Sequence, residues 1–375
     1  MTFLVAFRHG DDERARPNVT SRGTSRKPDR RDVREITRQT GRSCATQGSR
    51  GDVTSAAVRI PFPIPHAGSK RFDVAGFGLN SIDLVAVVAE FPQSNTKQRL
   101  QRFARLPGGQ IGTAMATCAK LGWRARYIGS FGDDDLGALS RESLTSQGVD
   151  ISASRTVEGT TNQFAVILVD ATSGERTVLW DRHPALNMQP CDVPECAVTS
   201  GRLLIVDCHQ TAASTQAARY ARAAGIPTII DVEKVRPGIA ELLQNIDAII
   251  AAEEFPTALT GDEQPGRALG VMARDAGASI ACVTLGKEGS LTWCNGREIR
   301  TPPFPVGCVD STGAGDVFRG AFAAGCLAMP DGDIEDVLRY ANAAAALNCR
   351  ALGSRGALPT AGEVNQLMLG GVTFR

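Results

Sequence analysis

The residues best suited to chemistry form one run, Asp310-Ser311-Thr312-Gly313-Ala314-Gly315-Asp316, which passes directly into the apolar stretch "VFRGAF". Three tiny residues cost backbone entropy. They are explained if a helix begins near Gly313. The unpaired amides of its first turn and its dipole make an anion site, and glycines keep side chains out of the anion's way. With phosphate on those amides, Asp316 sits within a turn of it and can accept a proton from an attacking hydroxyl. The plain alternative is a helix cap. A cap is served equally by Ser or Asn and needs no preceding Gly-Ala-Gly. Upstream, Asp310 and Thr312 add oxygen ligands suitable for a cation.

Weaker signals lie elsewhere. Gly76 and Gly78 follow the apolar "RFDVAGFG", but the third position of G-x-G-x-x-G is Ser81, so the dinucleotide fingerprint is broken. Asn80 and Asp83 stand there instead, either as hydroxyl-binding groups or as ordinary turn residues. Gly108 and Gly109 precede the helical pattern "GTAMATCAKLG". There a ligand can approach the backbone, with Gln110 offering both donor and acceptor, although a lone Gly-Gly is more often a simple loop-to-helix junction. "VTLGKEGSLTW" carries Thr284 and Gly286 at a strand end and Gly289 before a hairpin pattern. These suit a nucleotide loop or a plain turn.

The elements that position these residues follow from the apolar pattern. Short apolar strands at "RFDVAGFG", "ARYIGSFG", "RLLIVD", "IPTIID", "IDAIIA" and "SIACVTLG" alternate with helices such as "DDLGALSRESLTSQG" and "TAASTQAARYARAAG". This predicts a three-layer α/β/α sandwich with a central, mostly parallel sheet. Ligands on such sheets bind beyond the carboxyl ends of the strands. Two stretches, near residues 84–106 and 162–181, alternate as paired strands and predict a small separate β-sheet lid. Both are apolar on both faces, which predicts a homodimer joined through the lid strands.

Residues 1–70 have another texture, rich in Arg, Ser, Thr, Gly and Asp. They are expected to be a disordered extension, or a segment added by a start codon assigned too early, with 71–375 forming the domain. The 375 residues are 42% hydrophobic and 22% charged with a net charge of +1. That balance gives no reason to invoke nucleic acid or a membrane surface. The ten cysteines form no CxxC pair and the four histidines do not cluster, which speaks against zinc and for reduced thiols in a cytoplasmic protein.

In their order along the chain these segments resemble one family. "DSTGAGDVFRGAF" is similar to the D-[ST]-T-G-A-G-D signature of ribokinase-like (PfkB-type) carbohydrate kinases. "GFGLNSID", "PGGQIGTAMATCAKLG", "YIGSFGDDDLG", "VTLGKEGS" and "YANAAAALNCRALGSRGALPT" fall in that family's sequence. The resemblance implies a ribokinase-like fold using ATP and Mg2+. It makes Asp316 the base toward a sugar hydroxyl, and Gly313, Ala314 and Gly315 the anion hole. Asn80, Asp83, Gly108 and Gly109 match the sugar side; Thr284, Gly286 and Asn342 match the nucleotide side. Asp310 and Thr312 match a monovalent-cation (K+) site found in some members.

Two positions depart from the family. Thr113 stands where Asn is frequent, so sugar contacts differ in detail. Aligned on the closing Leu-Thr-Gly, the family's N-x-x-E segment falls on Ala252 and Phe255, leaving Glu254 or its neighbour Glu253 as the substitute acid near magnesium. The texture is closest to fructokinase, ketohexokinase and sulfofructose kinase-like members. The expected activity is ATP-dependent phosphorylation of a sugar hydroxyl, with nucleoside kinase, a non-catalytic sugar sensor and a dehydrogenase as alternatives.

Overall fold

The computed structural model describes residues 57–370 apart from 173 and 174. Fourteen strands are present among them. They are β1 (Val74–Phe77), β2 (Ser81–Val88), β3 (Arg102–Gly108), β4 (Ala125–Ile128), β5 (Ser130–Gly132), β6 (Arg155–Val157) and β7 (Phe164–Asp170). Then follow β8 (Arg176–Asp181), β9 (Leu203–Asp207), β10 (Thr228–Val232), β11 (Ala248–Ala252), β12 (Ile280–Thr284), β13 (Ser290–Cys294) and β14 (Arg297–Thr301).

Eight of them form one sheet in the order β14-β13-β12-β11-β10-β9-β1-β4. β4, β1, β9, β10, β11 and β12 run parallel, and the hairpin β13–β14 adds an antiparallel edge. The parallel strands are buried along nearly their whole length because both faces are covered. On one face lie the helices Gln110–Lys120, Ala314–Ala328 and Ile334–Asn348, packed on Val74, Ile205 and Ile250. On the other lie Thr211–Ala223 and Pro265–Ala276, packed on Ala75, Val206 and Ile249. The alternation along each strand thus feeds two cores, giving the α/β/α sandwich.

The lid is a four-stranded sheet, β3-β2-β7-β8, with β2 and β7 parallel and both outer pairings antiparallel. Its strands overlap the two alternating stretches of the sequence, with β2 beginning at Ser81 and β3 ending at Gly108, outside 84–106. "ARYIGSFG" is not one strand: Gly129 divides it into β4, in the main sheet, and β5, which pairs only with β6.

The domain begins earlier than the composition indicates. Val58, Ile60 and Phe62 are buried in the main core. Ile60 N–H donates to the Gly332 carbonyl and Ile334 N–H to that of Val58. Three alternating apolar residues suffice for such an edge contact, although they are too few to stand out beside the charged segment before them. Residues 1–56 of the expected extension lie outside the described residues.

Candidate active site

The sheet positions the site at the crevice between β1 and β9, where the strand order reverses, since β4 lies on one side of β1 and β9 on the other. Past the end of β1, Leu79 N–H donates to Asp207 Oδ2 at 2.6 Å, fastening the β1 exit to the β9 exit. The chain then enters the lid, so Asp83 rides on a lid strand above the crevice.

The glycine-rich run behaves as its composition requires. Gly313 is the N-cap of the helix Ala314–Ala328 at φ +73°, a left-handed conformation costly for any side chain. A Cβ there would also lie 2.6 Å from the Ser354 Cα. Ala314 N–H bonds the Ser311 carbonyl and Val317 N–H that of Gly313, whereas the amides of Gly315 and Asp316 bond no backbone carbonyl among the described residues. Those two amides are the donors available to an anion.

Asp316, in this first turn, has its carboxyl pushed up to about 6. Burial is the main cause; Arg319 opposes it, and the carboxylates of Glu233 and Asp83 add to it. Asp83 is likewise raised by burial, against a hydrogen bond from Ser354 Oγ at 3.2 Å. Gly108 is required beside it, because a Cβ there would come within 2.5 Å of the Asp83 Oδ2.

A cavity of about 1490 Å³ joins residues singled out in four separate segments. Asp83 lines it from the lid, Asp310, Thr312 and Ala314 from the glycine-rich run, and Gly286 and Asn342 from the far side. The space exceeds the roughly 300–1,000 Å³ usual for small-molecule sites and accommodates a nucleotide with a second substrate. Asn342 Nδ2 is anchored on Ser290 Oγ at 3.1 Å. Thr284 and Gly289 do not line the cavity. Thr284 pairs with Ser290 across β12–β13, and Gly289 at φ +88° makes the turn between them, backed against the Thr301 carbonyl.

Asn80, Gly108, Gly109, Gln110 and Thr113 also do not line this cavity, and neither do Glu254, Gly313, Gly315 and Asp316; from the glycine-rich run only Asp310, Ser311, Thr312 and Ala314 reach it. Asn80 is a structural hub: Nδ2 donates to the Tyr127 hydroxyl and the Ser130 carbonyl, and Oδ1 accepts from Ser140 Oγ. Both of its N–H groups are therefore engaged within the protein. Gly109, at φ +85°, brings its backbone against Asn80, where a Cβ would come within 2.5 Å of the Asn80 Cα. Gln110 Oε1 is buried with no partner, and Thr113 Oγ1 accepts from Arg355 Nε at 3.2 Å.

Asp310 Oδ1 accepts from Thr312 N–H and Oγ1, and its Oδ2 accepts from Gly353 N–H at 2.7 Å. Arg176 of β8 reaches this loop, donating to Thr312 Oγ1 at 2.8 Å and lying 3.7 Å from Asp310 Oδ1. The lid and the glycine-rich run thus touch directly. Glu254 is exposed, immediately before the helix Phe255–Thr260. Among the described residues no three His, Cys, Asp or Glu side chains converge as a metal site. A magnesium ion fits this arrangement when held mainly by phosphate oxygens and water.

Sequence reasoning missed several residues that complete the site. Asp207, Glu233 and Arg319 approach Asp316 or the crevice from β9, from just past β10 and from the helix that also carries Asp316. Arg355 enters from a loop after the helix Ile334–Asn348. Their signals were single letters without a spacing rule.

A scan against family models matches residues 71–361 to the pfkB family carbohydrate kinase. Among curated proteins, the chain is 31% identical to the ATP-dependent ribose-1-phosphate kinase of Halopiger xanaduensis, over 75% of this chain and 93% of that protein. It is 26% identical to the ribokinase of Bacillus subtilis, over 79% and 99%. Among solved structures, Arabidopsis thaliana ribokinase complexed with ribose and ATP superposes with a TM-score of 0.71 at 26% identity, covering 79% of this chain and 98% of that one. A signature run on a helix N-terminus, a ribokinase-like sheet and a family match across most of the chain lead to one statement: this protein belongs to the pfkB family of ATP-dependent carbohydrate kinases.

Proposed function

We propose that the protein phosphorylates a hydroxyl of a sugar, of ketohexose or related type, with Asp316 as general base. The carrying observation is that Asp316 shares the first helical turn with the two unpaired amides of Gly315 and Asp316, next to Ala314, which lines the cavity. ATP supplies the γ-phosphoryl group, with Mg2+ offsetting the phosphate charge. The Asp316 carboxylate accepts the proton of the acceptor hydroxyl while its oxygen bonds to phosphorus. The bond from that phosphorus to the β-phosphate bridging oxygen breaks, and ADP leaves. The amides of the helix N-terminus, preorganised and pointing at the transferring group, stabilise its charge. A carboxyl raised to about 6 by burial is ionised at neutral pH yet basic enough to hold a proton during transfer.

Asp83, desolvated and held by Ser354, is the group for acceptor hydroxyls. Gly286 and Asn342 define the nucleotide end. Asp310 and Thr312 form the place for a monovalent cation, and Glu254 is the acid nearest the expected magnesium segment. The relatives' names, ribokinase and ribose-1-phosphate kinase, support a sugar acceptor. The fold also resembles an adenosine kinase of Sinorhizobium meliloti, which keeps a nucleoside acceptor as the second reading.

The lid supports a homodimer. Phe103 on β3 and Leu179 and Trp180 on β8 are more than half exposed, a concentration of large apolar groups on the two edge strands.

Asp316→Asn tests the catalytic assignment. It keeps shape and capping ability but not the proton acceptor, so kcat in an ADP-release assay is expected to fall about 10²–10⁴-fold. Retention of more than about a tenth of wild-type kcat, above that general-base range, ends the assignment.

A further inference from the structure

Two thiols that phosphoryl transfer leaves unused meet on the cavity wall. Among the described residues, Cys308 and Cys349 are the cysteines that line the cavity. Cys308 lies in the segment joining β14 to the helix Ala314–Ala328 and is exposed. Cys349 caps the helix Ile334–Asn348 and is nearly buried, its thiol donating to the Ala345 carbonyl at 3.3 Å. The other exposed thiols, Cys191 and Cys196, do not line the cavity.

The backbone brings the pair together. The amides of Val309 and Asp310, which follow Cys308, both donate to the Cys349 carbonyl, at 2.7 and 3.1 Å. A disulfide requires Cα atoms within roughly 7 Å of each other. An amide beside one cysteine, bonded to the carbonyl of the other, keeps the two backbones compatible with that reach. The Cys308 thiol is also hydrogen-bonded to the Cys349 sulfur. Among the described residues no third Cys, His or carboxylate completes a metal site with them. The pair is a dithiol.

The two thiols differ in access and acidity. Burial pushes the Cys349 thiol up to about 12. Burial also raises Cys308, against its hydrogen bond with Cys349 and with the Asp310 carboxylate adding to the rise. Exposure makes Cys308 the member that meets an oxidant first, at a rate that grows with pH as its thiolate forms.

We propose that Cys308 and Cys349 are a thiol-oxidation site in the wall of the nucleotide end of the cavity, taking a hydroperoxide as oxidant. The Cys308 thiolate attacks one peroxide oxygen and the O–O bond breaks. Cys308 becomes a sulfenic acid, and the departing hydroxide takes up a proton as water. The Cys349 sulfur then displaces the sulfenic hydroxyl, which leaves with the Cys349 proton as a second water. Two thiols lose two electrons, hydrogen peroxide is reduced to two waters, and one S–S bond forms. That bond fastens the approach to the glycine-rich run to the end of the helix that carries Asn342, and a dithiol reopens it. The kinase reading supplies only the functional consequence; the bond itself is detected without turnover.

The test treats the full chain with hydrogen peroxide at about pH 8.5, where thiolate is available, then alkylates and digests with trypsin. Peptide 301–319, which holds Cys308, should be linked to peptide 340–350, which holds Cys349, and dithiothreitol should separate them. Cys349→Ser should stop Cys308 at a sulfenic acid that dimedone traps. In ADP-release assays, oxidation should raise KM for ATP about threefold or more, with a smaller change for the sugar. Dithiothreitol should restore the reduced value, and Cys308→Ser should give the same KM before and after peroxide.

A free or sulfinic Cys308 with no linked peptide overturns the proposal, as does a linked pair with an unchanged KM for ATP. Should either variant fail to fold, the wild-type digest still decides, because the linked peptides are read from the wild-type chain. A linked pair in a chain that releases no ADP with any acceptor supports the oxidation site and removes the kinase reading instead.

Discussion

Arg319 Nε lies 2.9 Å from Asp231 Oδ1, an ion pair buried directly beneath the helix turn that carries Asp316. Both side chains are almost wholly inaccessible. Burial raises the Asp231 carboxyl well above the ordinary range, and Arg319 is the main group opposing that shift. Arg319 is also the first group opposing the rise at Asp316. One guanidinium thus holds down two carboxyl groups.

A pH profile reads this relationship. Asp316 must be ionised to accept a proton, so kcat/KM should rise with pH through about 6 and then level. Arg319→Met removes the opposing charge, and the rising limb should move to higher pH. The variant should also lose about 3–5 kcal/mol of stability, since Asp231 is left buried without its partner. An unchanged limb would mean that Arg319 is only structural.

Stability of Asp316→Asn carries the opposite sign from that of an ordinary cap variant. The folded carboxyl titrates above its unfolded value of 3.8. The folded state therefore holds the proton more tightly, and stability contributed by the protonated group is lost as pH rises from about 4 through about 6. Asn bears no charge and escapes that loss. Its Tm should equal or exceed wild type at pH 8, measured by calorimetry, and the advantage should vanish near pH 4.

Magnesium removal should separate catalysis from folding. With no converging set of acidic ligands among the described residues, the protein alone should bind the ion weakly. EDTA should abolish ADP release while leaving the nucleotide-free Tm unchanged. For the proposed cation place, replacing K+ by tetramethylammonium should lower kcat in the wild type and have less effect in Asp310→Asn.

The lid contact is tested at Trp180, which is 61% exposed on β8. Trp180→Glu should give a monomer by light scattering at micromolar concentration with an unchanged main-domain melting transition. A monomeric wild type with full activity would remove the dimer proposal.

The N-terminal boundary is tested by two truncations. A chain beginning at residue 57 should melt like the full chain, because the charged segment before it has too little apolar content to bury. A chain beginning at residue 65 loses Val58, Ile60 and Phe62, all in the main core, and should melt several degrees lower.

The sequence by itself determined the sheet strands, the two lid stretches and the helix that starts at Ala314. Each is a local pattern: runs of apolar residues, alternation, and glycines whose conformation no other residue adopts cheaply. It also singled out Asp83, Asp310, Thr312, Gly286 and Asn342, which one cavity brings together although they are separated by up to 259 positions, from Asp83 to Asn342. Only the tertiary structure decided what surrounds them. That Asn80 spends its amide on Tyr127 and Ser130, that Arg319 lies between Asp231 and Asp316, and that Arg355 arrives beside Thr113 are contacts across the fold. Such contacts depend on which strand exits face each other, and no periodicity or spacing in a single chain encodes that. Burial then gives a carboxyl or a guanidinium its chemistry, through the water it loses and the charges it meets.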